Sequence, residues 1–446
     1  MTDQRPTRLT RRRLLASGAM AAGAYGLAGC GGGIDRGPLS AAQRGATGGA
    51  AYSGPPVHIQ FWNGFTGGDG PFMQKLVDRF NTEHTSISVG MVTVRWQEYY
   101  SKVPAAVSTG HGPDVAIMHV DQLATFAARD VIIPVDDVTR SLKLSRDDFF
   151  PQVWDEGRYQ GRRYGVPLDT HPLGMYWNTE LFAKAGLDQP PADRRELEDA
   201  LAKLKAKGVS YPFWMPSLWP AHFMFMTLLW QFGGELYNRD TTRALFGSDA
   251  GVEAVAWMRS LISKGYSPSN VGQDAQYIAF KNGQNAITWD GIWQVNDLAA
   301  TPGLKARAAP VPRIGSQRAV WSDSHNFVIP RKGKLSPDRV AAAKAFINWV
   351  SAHSLEWAKA GQVPARTAVR QSKQFRDLRD QSQFAREVPY VHYPPPTPGL
   401  PTVQEETLQV AVDAAVRGGD AKRILSSAAE KANRMLDDNH RIFDGS

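Results

Sequence analysis

The sequence predicts an α/β protein of two lobes joined by extended chain. Three observations support this expectation. Strand-like and helix-like segments alternate from Val57 onward. The chain beyond residue 56 is about 390 residues long, which is too long for one compact core. The stretch from Gly165 to Asn178 contains two prolines that predict a stiff, extended connector rather than a helix.

This connecting stretch begins with Pro167 and Pro172, which bracket a short polar segment. Each proline fixes its own φ and pushes the preceding residue towards an extended conformation. The segment between the prolines carries an acid, Asp169, and an imidazole, His171. An ordinary loop entering a strand is the alternative interpretation of the same residues.

Residues 1–29 have the pattern of a lipoprotein signal peptide. Residues 10–15 read Thr-Arg-Arg-Arg-Leu-Leu, and a short run of small and apolar residues follows. Leu-Ala-Gly then precedes Cys30, the only cysteine in the chain. A buried N-terminal helix fits poorly, because the arginines cluster at one end of the segment. We expect Cys30 to become a lipidated N-terminus, exported by the twin-arginine route or by the general one.

Charge and composition argue against a nucleic-acid-binding protein. The signal segment holds five of the 51 Lys and Arg residues and one of the 43 Asp and Glu residues, so the remainder carries a net charge of about +4. The sequence pI of 9.4 is therefore partly a property of the signal. Residues 30–56 are rich in Gly, Ala, Ser and Pro, and we expect them to form a lipidated N-terminus and a flexible tether.

The first lobe is predicted from three strands that feed helices. Residues 57–61 alternate as a strand, a glycine-rich loop follows, and Pro71 begins a helix. Residues 88–94 and 114–118 are the next strands, and a helix over 96–109 is expected with a break at Pro104. Mainly parallel sheets of this kind place ligands beyond the carboxyl ends of their strands. The polar residues at those ends are Trp62, Thr66, Asp69, Asp121 and Gln122.

The remaining chain combines helices with three aromatic groups. A hairpin is predicted over 157–164, and helices are predicted over 180–185, 195–207, 337–351 and within 402–438. The aromatic groups lie at 211–222, 287–293 and 321–326. They supply more tryptophans at loop ends than a core needs, although any one of them could be core packing. The tryptophans concerned are Trp62, Trp214, Trp219, Trp289, Trp293 and Trp321.

Five segments, in order, resemble the carbohydrate-binding solute-binding proteins of ABC importers, the family that includes maltose-binding protein. The segments are Phe61-Trp62-Asn63-Gly64-Phe65-Thr66-Gly67-Gly68-Asp69-Gly70, Gly112-Pro113-Asp114-Val115 with Asp121, Tyr164-Gly165-Val166-Pro167 to Trp177-Asn178, Gly283-Gln284-Asn285-Ala286-Ile287-Thr288 to Gly291-Ile292-Trp293, and Gly361-Gln362-Val363-Pro364-Ala365-Arg366. The resemblance implies a two-lobed periplasmic-binding-protein-like fold. In that fold the ligand cleft lies between lobes joined by a multi-segment hinge.

The resemblance also implies lobe boundaries and roles for residues. The N-terminal lobe would comprise 57–168 and about 327–352, and the C-terminal lobe 172–320 and about 355–446. Asp121 and Gln122 would lie on the first lobe's rim, Asp169 and His171 in the hinge, and Trp293 on the opposite wall. The same comparison adds Trp62 and Asp69 near the first-strand loop and Arg366 by the last crossing.

These residues lead to a functional hypothesis. Sugar rings stack their apolar faces on aromatic rings, while carboxylates and amides bind hydroxyl groups. Adding two tryptophans from the aromatic groups gives the predicted ligand-binding residues Trp62, Asp69, Asp121, Gln122, Asp169, His171, Trp219, Trp293, Trp321 and Arg366. We expect a monomeric, membrane-anchored protein that binds a carbohydrate and delivers it to a permease, without cofactor, metal or nucleic acid.

Two alternatives stay open. A binder of glycerophosphodiesters could use the same fold, with Arg366 and the helix N-terminus at Pro71 facing a phosphate. A secreted glycoside hydrolase would need two carboxyl groups flanking one bond, which the aspartates could supply. The sequence lacks a His-Glu-x-x-His motif, a Gly-x-Ser-x-Gly motif, a Walker loop and a set of cysteine ligands.

Overall fold

A computed structural model describes residues 52–333 and 336–443. The predictions for the signal peptide, Cys30 and the tether lie outside these residues. Within them the strands are β1 Val57–Asn63, β2 Ile87–Thr93, β3 Val115–His119, β4 Ile132–Ile133, β5 Arg158–Tyr159, β6 Arg162–Arg163, β7 Val166–Pro167, β8 Asp169–Asn178, β9 Ile287–Gly291, β10 Ala306–Ala309, β11 Val320–Asp323, β12 His325–Pro330, β13 Val363–Pro364 and β14 Val391–His392.

The α-helices of the described residues run between and after these strands. They are α1 Gly70–Glu83, α2 Trp96–Ser108, α3 Val120–Ala128, α4 Asp136–Ser141, α5 Pro151–Glu156, α6 Thr179–Lys184, α7 Arg194–Ala206, α8 Ala221–Gln231, α9 Asp249–Ser263, α10 Ala275–Lys281, α11 Val295–Ala300, α12 Pro337–Ala352, α13 Leu355–Ala358, α14 Thr367–Arg370, α15 Lys373–Arg376, α16 Gln381–Phe384, α17 Leu400–Val403, α18 Val410–Arg417 and α19 Ala421–Phe443. A π-helical segment, Gln404–Gln409, links α17 to α18.

Two six-stranded sheets form the centres of the two lobes. The first has the order β2-β1-β3-β12-β4, with β7 also paired to β12. The second has the order β10-β8-β11-β14, with β9 and β13 also paired to β8. Strand β3 is buried on both faces, because Val115 and Ile117 belong to one core cluster and Ala116 and Met118 to another.

The first sheet differs from the mainly parallel sheet predicted. Strands β1, β2 and β3 are parallel, but β12 is antiparallel to β3, β4 and β7. Strand β12 comes from much later in the chain than β3 and extends the sheet in the opposite direction. The break expected in α2 is also absent, since the helix continues through Pro104. Burial of Val103 and Val107 on either side of the proline offsets the lost backbone hydrogen bond.

At two places a single residue connects a strand of one sheet to a strand of the other. Strand β7 pairs in the first sheet and β8 in the second, so the change occurs at Leu168. Strand β11 pairs in the second sheet and β12 in the first, so a second change occurs at Ser324. The side chain of Asn326 packs tightly on Gly165 here, because a Cβ added to this glycine would lie 2.7 Å from Asn326 Oδ1. The exact lobe boundaries stay a prediction.

A third passage follows α12, which packs on β1 of the first sheet. Helix α13 then contacts α1, and β13 pairs with β8 of the second sheet. The backbone N–H of Ala365 donates to Leu168 O over 3.0 Å, which ties this passage to the first one. Three segments of the chain therefore meet side by side between the sheets.

Asp114 is the buried ionic link of the first lobe, and it supports a stability prediction. Its carboxylate accepts from Gln60 N at 2.8 Å, from Lys332 Nζ at 2.6 Å and from Arg339 Nη1 at 3.0 Å. Asp114→Ala should lower the free energy of unfolding by about 3 kcal/mol, because removing one partner of a buried pair leaves the others uncompensated.

Denaturant unfolding of the two proteins measures this change. Glu180→Ala is the matched control, because it breaks the exposed pair of Glu180 with Lys184. Such surface pairs contribute about 1 kcal/mol or less. Equal losses in the two variants would contradict the assigned role of Asp114.

Candidate functional site

Three histidines from three strands converge where the sheets meet. His119 ends β3, and His325 begins β12 directly opposite it in the antiparallel pair. His171 lies on β8, where its backbone pairs with Asp323 of β11. The ring centroids are 4.8 Å apart for His119 and His325, 4.3 Å for His171 and His325, and 5.6 Å for His119 and His171.

A single buried carboxylate orients two of these rings. Asp169 Oδ1 lies 3.1 Å from His171 Nδ1, and Asp169 Oδ2 lies 2.8 Å from His325 Nδ1. Asp169 also accepts from the backbone N–H of His325 at 3.0 Å and from Trp357 Nε1 at 2.6 Å. Both carboxylate oxygens are therefore fully engaged by the protein.

The electrostatics of the cluster follow from its burial. Burial raises the pKa of Asp169, but interaction with His325 and the hydrogen bonds from His171 and His325 outweigh burial and hold it below its usual value. Burial and the nearby His325 lower the pKa of His171 to about 4. The same two causes, with His171 added, lower the pKa of His119. His119 and His171 are therefore neutral at pH 7.

Two further aspartates lie near this cluster. Each has one carboxyl oxygen that accepts no hydrogen bond from the described residues of the protein. Neither Asp69 Oδ1 nor Asp121 Oδ1 has a hydrogen-bond partner among the described groups. Burial raises the pKa of Asp69 despite the opposing effect of His325. Burial raises the pKa of Asp121 to about 7. Two desolvated carboxyl groups thus have acceptor capacity that the protein does not use.

Asp323 lies beside Asp121 and is tied to the backbone. Its Oδ1 accepts from Val120 N at 3.0 Å and from Ser324 N at 2.6 Å. Burial, with the nearby charge of Asp121, raises the pKa of Asp323 well above its usual value. The two carboxyl groups compete for ionisation, because like charges at short range disfavour each other.

An aromatic wall from the second lobe faces the histidines. The Trp293 ring lies 6.1 Å from His171 and 6.2 Å from Trp219. The Trp321 ring lies 6.4 Å from His171 and stacks on Phe223 at 3.5 Å with an interplanar angle of 12°. The loop between α7 and α8, strand β9 with its following turn, and strand β11 therefore bring three tryptophans to one surface.

Aromatic side chains of the first lobe flank the opposite side. Trp96 stands 4.3 Å from His119 and 5.8 Å from His325, measured between ring centroids. Phe65 packs edge-on against His325 at 4.9 Å. Tyr100 places its hydroxyl 2.5 Å from His119 Nδ1. The arrangement can hold a flat, partly apolar molecule that carries hydrogen-bond donors.

The structure brings together seven of the ten predicted residues. These are Asp69, Asp121, Asp169, His171, Trp219, Trp293 and Trp321. Of the other three, Gln122 adjoins the cluster only through Asp121, and Trp62 and Arg366 contact different groups. Trp62 packs against the smaller core cluster, and Gln122 hydrogen-bonds its neighbour Asp121. Arg366 donates to Ser351 Oγ at 2.8 Å and Asn348 Oδ1 at 3.1 Å, on helix α12.

Sequence reasoning did not select several residues of this cluster. They are Phe65, Trp96, Tyr100, His119, Phe223, Asp323, His325 and Trp357. The group at 321–326 offered a signal, because an Asp and a His lie there within a polar-aromatic run. His119 carried the same signal as the last residue of a strand before Asp121.

A surface cavity of about 430 Å³ lies elsewhere, between α4, α5 and the β5–β6 hairpin. Its lining includes Arg146, which pairs with Asp155 at 2.8 Å, and Arg163, which stacks over Trp154 at 3.6 Å. None of the ten predicted ligand-binding residues lines it. The cavity is therefore separate from the cluster between the sheets.

Comparisons with known proteins bear on this site. The sequence matches the family described as bacterial extracellular solute-binding protein over residues 75–380. A protein of Brucella abortus (strain 2308), described as a binding protein, is 23% identical over 375 residues, which cover 82% of this chain and 90% of that one. The sn-glycerol-3-phosphate-binding periplasmic protein of Shigella dysenteriae serotype 1 is 30% identical over 245 residues, 52% of this chain and 55% of its own.

Solved structures share the fold. The GacH receptor of Streptomyces glaucescens GLA.O, which has been crystallised unliganded and with acarbose, matches with a TM-score of 0.76 and 22% identity. The match covers 86% of this chain and 99% of that receptor. The predicted two-lobed α/β fold of the periplasmic-binding-protein type is confirmed. No helix among the described residues is long and apolar enough to cross a membrane.

Asp290 lies on β9 opposite Gly174, and its buried carboxyl group predicts how the stability of the fold depends on pH. Burial raises the pKa of its carboxyl to about 7, against an unfolded value of about 3.9. Between these values the folded protein holds a proton that the unfolded chain has lost. The contribution of Asp290 to the free energy of unfolding should therefore fall as pH rises from about 4 to about 7, and level off above that.

Asp290→Asn removes this titration. The stability of the variant relative to wild type should rise across the same window, by at most about 1.4 kcal/mol per pH unit. Denaturant unfolding at a series of pH values measures both proteins, and the other titrating groups cancel in the difference. Parallel stability curves from pH 4 to pH 8 would show that Asp290 ionises normally in the folded state.

Proposed function

The chain belongs to the bacterial extracellular solute-binding protein family, and we propose that it captures a sugar or oligosaccharide and delivers it to the permease of an ABC importer. Members of this family are exported and bind solutes. The proposal has five parts beyond family membership: a sugar as the solute, a cognate permease, a lipid anchor, a monomeric state and the lack of catalysis.

One observation carries the choice of a sugar. Trp293 and Trp321 of the second lobe lie 6.1 and 6.4 Å from the His171 ring. Near the same cluster, Asp69 and Asp121 of the first lobe each have one oxygen without a donor among the described residues. A pyranose ring presents apolar C–H groups to an aromatic face and hydroxyl donors at its edge. Trp293 and Trp321 would stack on the sugar, while Asp69 and Asp121 would accept from its hydroxyl groups. Each such bond restores hydrogen bonding to a buried acceptor.

A glycerophosphodiester remains the second candidate, since a relative 30% identical over part of the chain is a glycerol-3-phosphate-binding protein. The geometry favours it less. Arg366, the cation expected to face a phosphate, donates to side chains of α12. A phosphate would also approach the carboxyl groups of Asp69, Asp121 and Asp323, and each of these that is ionised would repel it at short range.

The two lobes would close on the solute through contacts made only in the closed state. Helix α3 ends in the first lobe's core, and its first turn carries Asp121. The 3₁₀ turn Ile292–Gln294 carries Trp293 in the second lobe. A solute that contacts both residues would favour the closed arrangement of the lobes.

A thermal-shift screen against mono-, di- and oligosaccharides and glycerophosphodiesters tests this function. A solute that binds the folded chain raises the unfolding midpoint through a free energy proportional to ln(1 + [L]/Kd). Stabilisation by a sugar, with the sugar recovered chemically unchanged, supports the proposal. Stabilisation by phosphodiesters alone would replace it with the second candidate, and turnover of the sugar would contradict a pure binding role.

Affinities of two variants for the selected solute locate the site. Asp121→Ala should weaken binding by roughly 10-fold to more than 100-fold, because charge-assisted hydrogen bonds contribute about 1.5–3 kcal/mol. Trp293→Ala should cost about 2 kcal/mol or more, as large aromatic side chains at binding sites do. Isothermal titration measures both, and circular dichroism confirms folding.

Asp297→Ala is the matched control, because Asp297 forms a surface ion pair with Lys281 at 2.7 Å. Its affinity should equal that of wild type. If Asp121→Ala and Trp293→Ala also bind like wild type, the assigned cleft is wrong. If Trp293→Ala alone binds the solute as tightly as wild type, Trp219 or Trp321 supplies the stacking surface.

Lipid anchoring is tested separately at Cys30. Wild-type cells labelled with a fatty acid should incorporate the label into this protein, because Cys30 would be the acylated N-terminus. Cys30→Ser should abolish labelling and release the protein from the membrane. Label retained in the variant would reject the lipoprotein assignment without affecting the binding proposal.

A further inference from the structure

The proposed sugar contacts leave the three converging imidazoles unexplained. His119, His171 and His325 each offer a ring nitrogen, and these nitrogens lie within 4.8 Å of one another. His171 and His325 are buried, and His119 is partly exposed. They are the one group of three or more His, Cys, Asp or Glu side chains within metal-binding reach among residues 52–333 and 336–443.

Backbone pairing fixes the positions of these side chains. His119 and His325 are directly opposed across the β3–β12 ladder, where Cβ atoms are about 4.5–5.5 Å apart. His171 enters from β8, held in register by the pairing of its backbone with Asp323. The three side chains thus come from rigid strands, which is the arrangement that keeps a ligand set together without an ion.

The hydrogen bonds leave one nitrogen of each ring available. Nδ1 of His171 and Nδ1 of His325 both face the carboxylate of Asp169. An Nδ1–H donated to a carboxylate puts the lone pair on Nε2, the form in which neutral imidazole binds a metal. A carboxylate behind a histidine is the usual second layer of such sites, where it fixes ring orientation and raises ligand basicity.

His119 has a comparable partner in Tyr100. The tyrosine hydroxyl lies 2.5 Å from His119 Nδ1 and accepts the backbone N–H of His119 at 3.1 Å. A hydroxyl oxygen has two acceptor lone pairs, so it can also accept from Nδ1–H. Nε2 of His119 is then available as the third ligand.

The carboxylate behind the rings is not paired with a basic side chain. No lysine or arginine forms an ion pair with Asp169 within the part of the chain that the structure describes. A divalent ion at the imidazoles would lie close to this carboxylate, which faces two of the rings.

We propose that His119, His171 and His325 bind a divalent transition-metal ion of the zinc type, with Asp169 positioning two of the rings. Three nitrogen ligands suit Zn²⁺ and its transition-metal neighbours, whereas Ca²⁺ and Mg²⁺ require oxygen ligands. Zn–N bonds of about 2.0–2.1 Å in a tetrahedral site set the nitrogens about 3.3 Å apart. A fourth position is left for water or for a donor atom of the solute.

This inference is independent of the sugar proposal, because the ion alone is the probe. The full chain, free of any polyhistidine tag and stripped with a chelator, is titrated with Zn²⁺ by calorimetry and with Co²⁺ by visible absorption. One ion per chain is expected, with the intense visible bands of four-coordinate Co²⁺. Absence of stoichiometric binding, or only the weak bands of six-coordinate Co²⁺, overturns the proposal.

Variants assign the ligands. His119→Gln and His325→Gln should each weaken Zn²⁺ binding at least 100-fold, and Asp169→Asn should weaken it by about 10- to 100-fold, as loss of a second-layer carboxylate does. His392→Gln is the matched control, because this partly buried imidazole stacks on Trp230 at 4.7 Å as His119 stands against Trp96. Unchanged affinity in both His119→Gln and His325→Gln overturns the proposal.

X-ray absorption at the zinc edge of the wild-type protein identifies the ligands without any variant. It therefore tests the proposal even where a substitution prevents folding. The zinc-loaded wild type should show three imidazole nitrogens at the ion. A shell of oxygen atoms, or fewer than three imidazoles, overturns the proposal. Sugar binding by the chelator-stripped chain is measured in parallel, so that failure of the metal site is distinguished from failure of the sugar site.

Discussion

The carboxylate of Asp169 is the interaction on which the arrangement between the lobes depends. It lies on β8 of the second sheet, and it accepts from the backbone and ring of His325 on β12 of the first sheet. It also accepts from Trp357 on α13, in the third passage between the lobes. One fully buried group therefore holds all three connecting segments. Its loss would leave several buried donors unpaired, which costs far more than one hydrogen bond contributes.

The other carboxyl groups of the cluster differ from Asp169 in how they are satisfied. Asp323 accepts two backbone N–H groups, whereas Asp69 and Asp121 each keep one oxygen without a partner. Buried acceptors without donors are rare in folded proteins and indicate a group outside the protein. Asp169 is thus engaged by the protein itself, whereas Asp69 and Asp121 keep acceptor capacity for the proposed solute. This difference explains why residues equally acidic in sequence have unequal roles.

Local patterns in the sequence predicted much of the fold. Proline spacing predicted an extended segment at residues 168–171, and strand β8 begins at Asp169. The family resemblance, not a local rule, made residues 165–178 a crossing between lobes. The helix starting near Pro71 and the hairpin at 157–164 were also found by local rules. Strand β12 was harder, because its place beside β3 depends on pairing between distant parts of the chain. Arg366 looked available in sequence, but only the fold shows that Ser351 and Asn348 accept its hydrogen bonds.

Electrostatics limit what the cleft can hold. Lys332 and Arg339, two cations of the first lobe, are bound to Asp114, and Arg366 is bound to α12. Among the described residues, no lysine or arginine forms an ion pair with the carboxyl groups between the sheets. Those carboxyl groups that are ionised would therefore repel an anionic solute, and all of them can accept hydrogen bonds from a neutral, donor-rich one. A sugar and a metal ion both satisfy this constraint through different atoms. The sugar would use aspartate oxygens and indole faces, and the ion would use imidazole nitrogens, so one cleft can accommodate both.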